Sequence, residues 1–188
     1  MAKYSSADCA FLLIDGLSIL GTRTDLTVEV EKMMRPVTAL GDAWEKAGQA
    51  GLSKGVLTQQ GFYDDAAGSS NETLVALSGA DRVLCLGVAG NTKGRKFTGM
   101  GGALQSKYAR IAAVGEFHKA NADYMVDGAV EEGVILHQHA AETAASGNTE
   151  ANSHDNGAAS AAGGSAYLQV SALTLGGYTN VVMKLRHS

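Results

Sequence analysis

His137 and His139 flank Gln138, and on a strand that spacing would set both imidazoles on one face, an arrangement metal sites use. The nearest candidates for a third ligand, Glu142 and His154, fall in a tract of small residues, so a solvated strand end is the expected reading. Gly87-Val88-Ala89-Gly90-Asn91-Thr92-Lys93-Gly94 follows an apolar run as a phosphate-binding loop does. Its spacing fails, however: no glycine precedes Lys93, no Ser or Thr follows it, and there is no G-x-G-x-x-G. Asp64 and Asp65 are adjacent, which on a strand sends their carboxylates to opposite faces. No serine has a histidine partner arranged around it in the sequence as a nucleophile would need. The expectation is a protein that is not an enzyme, with no metal and no cofactor.

Composition narrows the classes further. The chain has 188 residues, enough for one well-cored domain, and 45% of them are hydrophobic. Its 24 glycines against one proline suit a sheet-rich fold with tight turns better than a Pro-rich linker. A net charge of −4 gives no basic footprint for nucleic-acid phosphates. Cys9 and Cys85 both sit inside apolar runs and read as reduced, buried thiols. The stretch CAFLLIDGLSIL is too short, and too broken by Asp15 and Gly16, for a signal peptide, so synthesis in a cytoplasm is expected. No run nears the roughly 20 apolar residues of a membrane span.

The elements that position these groups are mostly strands. Ala7 to Leu20 reads as a hairpin turning at Asp15-Gly16. From Asp25 to Met34, apolar Leu26, Val28 and Val30 alternate with Asp25, Thr27, Glu29 and Glu31, a period of two that predicts a half-buried strand ending at Pro36. A short helix is expected over Asp42–Ala47, with Trp44 as the anchor that packs it on the sheet. Lys54 to Tyr63 returns to strand character. Ser69-Ser70-Asn71-Glu72 has capping-box spacing and opens a second short helix to Ser78. Arg82 to Val88 reads as a central buried strand, and Lys96 to Ala113 as an extended pair interrupted at Gly99 to Gly102. Phe117–Val126 and Val130–His139 follow as strands. Ala140 to Ser165 has almost no large side chain and reads as a flexible loop, and Tyr167–Leu175 with Tyr178–Leu185 as a closing hairpin around Gly176-Gly177. The division is then a β-rich core over 1–141, a loop over 142–164 and a C-terminal hairpin over 165–188 packed on the core. The fold class is mainly β, a sandwich or partial barrel with one or two short helices.

Thr38-Ala39-Leu40-Gly41-Asp42-Ala43-Trp44, then Gly51-Leu52, then Gly61-Phe62-Tyr63-Asp64 resemble the pattern of the major tail tube proteins of long-tailed bacteriophages. There a polar strand leads into a short helix and then a strand ending in an aromatic-Asp turn. Phe97 to Gly128 is also similar, through the Tyr- and Arg-bearing strand Ser106 to Ile111 and the strand Asn121 to Val126. The segments Gly164–Leu168 and Val182–Ser188 resemble the β-sandwich ending of related phage proteins, in which a further strand follows, so the resemblance implies either a truncated product or a missing partner strand at Ser188.

The resemblance implies a hexameric ring around an inner β-barrel, stacked through loops and termini into a tube in the virion tail. It implies self-contacts, tape-measure, tail terminator and tail-tip proteins as partners, genomic DNA passing without specific binding, and no membrane. Asp25, Glu29 and Glu31 would then line a bore that repels phosphates, or else form an ordinary solvated strand face. Gly41, Trp44, Gly51, Gly61 and Phe62 would carry the fold motif and its packing. A function in a different class is a decoration module that binds a host-surface glycan, for which Tyr63, Tyr167 and Tyr178 are the candidate aromatics.

Overall fold

The computed structural model describes residues 5–40, 43–44, 47–66, 69–75, 80–140 and 163–174. The chain folds as a mainly antiparallel β structure with one α-helix among the described residues. Its strands are β1 (Phe11–Ile14), β2 (Leu17–Ser18), β3 (Arg23–Pro36), β4 (Ala47–Gly61), β5 (Arg82–Gly87), β6 (Lys96–Ile111), β7 (Lys119–Val126) and β8 (Val130–Val134), with helix α1 (Ser70–Val75) between β4 and β5. They form one open eight-stranded sheet in the order β2-β1-β5-β6-β7-β4-β3, and β8 also pairs with β6.

Asp15 and Gly16 make the first turn, both with positive φ (48° and 86°), the backbone that a tight hairpin turn demands. The Asp15 side chain then ties this turn to β5: one carboxylate oxygen accepts from the Val83 amide at 2.9 Å, and the other lies 3.6 Å from the Arg82 guanidinium. Arg82 also donates to the Thr73 carbonyl of α1.

The long strand β6 joins two halves of the sheet. Its first half lies between β5 and β8 (Leu84 opposite Met100, Thr98 opposite Glu132). Its second half pairs with β7, from Ala103 opposite Val126 to Ile111 opposite Lys119. The strand turns between these halves at Gly102, whose φ of 66° suits glycine, and at an irregularity between Gln105 and Lys107. Lys96 to Ile111 is therefore one strand running through Gly99–Gly102, not the interrupted pair expected. The bend wraps the sheet around one core, in which Leu12, Ile14 and Leu84 from the first half meet Leu57, Tyr124 and Ala122 from the second, with Leu74 of α1 between them.

Other expectations resolve as follows. The β3 strand begins as expected, with Leu26 and Val28 packed against the core, but Val30, opposite Gly55 in the last row before β4 leaves β7, is 61% exposed. Ala47 is the first residue of β4 and Ala43–Trp44 form a bend, while Gly41, Asp42, Glu45 and Lys46 lie outside the described residues. The expected helix over Asp42–Ala47 therefore gives way to strand at its C-terminal end. Trp44 is 83% exposed rather than packed on the sheet, which corrects its assignment as a packing residue. Ser69 precedes α1 as expected, and its hydroxyl donates to the Asp64 carbonyl at 2.5 Å. Residues 76–79, 141–162 and 175–188, where the end of that helix, most of the flexible loop and the second C-terminal strand were expected, lie outside the described residues. Among the described residues of the expected hairpin, Tyr167 to Thr174 has no strand pairing.

Candidate functional site

The second half of the sheet, β3, β4, β7 and the later part of β6, has two unlike faces. On one, Leu57, Ala122 and Tyr124 are fully buried. The other is mostly polar: as the register requires, it carries Asp25, Thr27, Glu29 and Glu31 from β3, Lys54, Thr58 and Gln60 from β4, Asn121 and Asp123 from β7 and Lys107 from β6, crossed by the apolar row Val56, Met125 and Leu104. Asp25, Glu29 and Glu31 are all exposed on this polar face. Glu31 lies opposite Lys54, and Lys107 stands 3.9 Å from Asp123, so the acidic stripe of β3 adjoins cations on its neighbours. A shallow hollow of about 270 Å³ opens here, lined by Thr58, Gln60, Lys107, Asn121 and Asp123 with Ala109 and Ile111.

Two strand edges flank this half of the sheet. Among the described residues β3 pairs with β4 alone, so the outer edge of this 14-residue strand has no described partner strand. Beyond Ala103, β6 pairs with β7 on one side only, and on the other Gln105 reaches α1 by donating to the Leu74 carbonyl at 2.6 Å. Long unpaired edges invite pairing with another chain.

The two ends also differ. Past Gly55, where β4 leaves β7, β3 and β4 continue as a two-stranded arm with Pro36 opposite Ala47. The six steps of β3 from Val30 to Pro36 carry it about 20 Å out, at roughly 3.3 Å per residue, while β4 bulges between Gln49 and Ser53. At the opposite end Phe62 bridges to Lys119, and its ring meets Phe117 edge-on at 5.8 Å. Of the residues assigned to the fold motif, Gly51 lies within the arm and Phe62 at this far end. Gly61 ends β4 against Arg23, where a Cβ would come within 2.7 Å of the guanidinium carbon. Gly41 lies outside the described residues.

Sequence reasoning missed the polar residues of the core. Gln59 is fully buried with neither end of its amide hydrogen-bonded. Arg23 lies two positions along the same face, donating from Nε to the Ile19 carbonyl at 2.9 Å. Burial pushes its guanidinium down to about 10, with Tyr124 opposing, and it stays charged at neutral pH. Burial likewise raises the Tyr124 phenol. Nothing in the alternation marks Gln59 as buried until its pairing with Leu26 and Ala122 is known.

The residues considered for chemistry are structural in this fold. His137 and His139 lie in bends rather than on a strand, and among the described residues no group of three His, Cys, Asp or Glu could hold a metal ion. His139 and Asn91 exchange hydrogen bonds (2.8 and 2.7 Å), fastening the loop over 87–94 to the segment after β8. The fold does bring a serine to a histidine: His139 Nε2 lies 2.8 Å from Ser171 Oγ. That hydroxyl donates to the Gly16 carbonyl, so its proton is committed and the imidazole serves as donor, an arrangement that ties chain segments rather than activates a nucleophile. Asp64 and Asp65 follow β4, with Asp64 accepting from the Ala66 amide at 3.0 Å. Cys9 is half-buried and Cys85 buried, both free; burial raises both thiols, partly offset at Cys85 by a hydrogen bond from Gln169.

The proposed glycan aromatics are engaged. Arg110 lies over the Tyr63 ring at 5.4 Å, and Tyr167 packs edge-on against Phe97 with its hydroxyl 2.6 Å from Glu131; Tyr178 lies outside the described residues. Residues 163–174 form a strap across the outer face of β1 and β5, where Gln169 donates to the Val83 carbonyl and accepts from the Gly16 amide.

An open, bent β-sheet with one polar face, two free edges and a projecting arm is therefore the geometry to be matched. A solved chain in the virion of a native gene transfer agent particle matches it with a TM-score of 0.56 at 12% identity, over 70% of this chain and 99% of that one. The fold resembles that of a gene transfer agent component. A second solved chain, from the tail of an empty gene transfer agent particle with C6 symmetry, matches with a TM-score of 0.53 at 11% identity, over 69% of this chain and 98% of that one. No protein-family model matches the chain, and no curated protein matches it by sequence. No described helix is long and apolar enough to cross a membrane.

Proposed function

We propose that this chain is a structural subunit of a phage-like tail tube, located in the virion tail. Copies join edge to edge, the outer edge of β3 in one meeting the 104–111 edge of β6 in the next, so that four strands per copy continue into a closed inner barrel. A head-to-tail contact of this kind closes into a ring when the rotation per copy completes a circle. The number of copies is six, by analogy with the C6 symmetry of the matched tail. The observation that carries this reading is the half-sheet itself: one face buried, the other mostly polar, and both lateral edges without a partner strand among the described residues.

The polar face lines the bore. Asp25, Glu29 and Glu31 then meet passing genomic DNA, and the interspersed Lys54 and Lys107 keep the wall from strong repulsion among its own subunits. Phosphates meet no cluster of cations to which they could adhere. The tube ends supply sites for tape-measure, terminator and tip proteins. Negative-stain microscopy of the purified protein tests the proposal: rings or tubes with sixfold end views are expected, and a protein that stays monomeric across a wide concentration range would refute it.

A further inference from the structure

The strap over 163–174 crosses the outer face of the first half of the sheet one strand at a time. Ser165 donates to the Glu131 carboxylate of β8 at 3.1 Å. Tyr167 lies over Gly99 of β6, edge-on to Phe97 at 6.0 Å, with its hydroxyl 2.6 Å from Glu131. Gln169 donates to the Val83 carbonyl of β5 at 2.9 Å and reaches the Cys85 sulfur at 3.6 Å. Ser171 closes the crossing by donating to the Gly16 carbonyl of the first turn, with His139 Nε2 at 2.8 Å from the same hydroxyl. Beneath the strap lies the second apolar cluster, Phe11, Leu13, Cys85 and Ile135, all buried.

Two features set this cover apart from the sheet it lies on. Its attachments run through side chains: among the described residues no backbone group of 165–171 bonds to another backbone group, so the ladders of the first half are complete without the strap. Its alternation is also reversed. Ser165, Tyr167, Gln169 and Ser171 meet the sheet, while Leu168 and Val170 between them are 67% and 40% exposed. An extended segment laid on an apolar cluster ordinarily turns its apolar row inward. This one offers the cluster a mostly polar row, whose hydrogen bonds replace bonds to water and contribute little net. Against that small gain stands the entropy of ordering the segment. The strap therefore belongs to the weakly held parts of the subunit, from which local opening is drawn.

We infer that the strap opens as a unit while the sheet beneath it stays folded, so that the outer face of β1, β5 and β6 has a covered and an uncovered state. The closed strap is an autoinhibitory contact. It keeps Phe11, Leu13 and Phe97 from presenting an apolar sheet face to other chains, the kind of face that drives association. Its catches stand on either side of that face, Gly16 at the first turn and Glu131 on β8. The inference is independent of the tube reading, since it concerns the first half of the sheet and a single subunit.

Cys85 reports the opening, because its thiol lies under the strap and must be uncovered to react. The purified full chain is treated with an uncharged alkylating reagent across a denaturant series, and modification of Cys85 is followed by peptide mass spectrometry. Its dependence on denaturant should be far shallower than that of global unfolding, since lifting the strap exposes much less surface. Ser171→Ala alters an exposed position that does not touch the thiol, and should speed Cys85 modification about fivefold, the effect of one lost hydrogen bond. Leu57→Val, in the core of the second half, should lower the global unfolding midpoint and leave the Cys85 rate without denaturant unchanged. Modification that follows the global unfolding slope would overturn the inference. So would a Ser171→Ala rate equal to the parent's, or a Leu57→Val rate that rises in proportion to the stability lost.

Discussion

The two halves of the sheet are built for different tasks. In the first, β1 and β5 are buried on both faces: Leu12, Ile14 and Leu84 point into the main core, while Phe11, Leu13 and Cys85 form a second cluster on the outer side with Ile135. The strap over 163–174 covers that outer side through Tyr167 and Gln169. In the second half, only alternate residues of β7 are buried and the other face is open. A strand covered on both faces can use a continuous apolar run, as Arg82 to Gly87 does, whereas a strand with one wet face must alternate. The first half is thus an anchor finished within one chain. The second leaves one face and both lateral edges open among the described residues, the surface that the proposed assembly would complete.

The comparison breaks most readily in the anchor. Leu84 is fully buried between the halves, and Leu84→Ala should destabilise the subunit by about 2–5 kcal/mol. Chemical denaturation checks this, and a loss well below that range would mean the first half is not the anchor. Next is Gly16, where φ is 86° and an added Cβ would strike the Val170 carbonyl of the strap. Gly16→Ala should cost roughly 1–3 kcal/mol, the range for a residue held in a disfavoured backbone region. Limited proteolysis should then cut near residues 165–172 sooner than in the parent.

A gain is expected at Gln59. Removing a buried amide that bonds nothing should stabilise the subunit, and Gln59→Leu should raise the unfolding free energy by about 1 kcal/mol. An equal loss would show that this amide has a partner.

The strap should also respond to pH. The hydroxyls of Tyr167 and Ser165 donate to Glu131 and hold its carboxyl below the usual range. Burial, then the Glu131 bond, push the Tyr167 phenol up to about 12. A lowered acid contributes stability above its unfolded pKa and loses it as pH falls through the folded one. A raised phenol contributes below its unfolded pKa and loses it as pH rises toward 12. Strap protection, read by hydrogen exchange, should therefore be greatest between the carboxylate range and the onset of phenol ionisation, and Glu131→Gln should remove the acidic limb. The smallest effect is expected at Trp44, which touches little in the subunit. Trp44→Ala should change monomer stability by less than about 0.5 kcal/mol.

Local chemistry made much of this fold legible. Asp15-Gly16 announced its turn, the apolar run from Arg82 its buried strand, and Ser69 to Glu72 its helix start. What stayed hidden depends on partners far along the chain. Gly99 looks like a strand break until Tyr167 is placed over it, where a Cβ would come within 2.6 Å of the ring. Tyr167 to Thr174 alternates like a strand, yet side-chain hydrogen bonds rather than a ladder hold it. Trp44 misled for a different reason: a large apolar group reads as core, and in a chain that presents unfinished surfaces it need not lie inside its own subunit.

The most direct test is an electron-microscopic reconstruction of assembled particles at a resolution that traces strands. The account predicts β3 of each copy hydrogen-bonded to residues 104–111 of its neighbour, with Asp25, Glu29 and Glu31 facing the bore. Particles in which β3 lies on the outside of the assembly, or pairs with no neighbour, would contradict it.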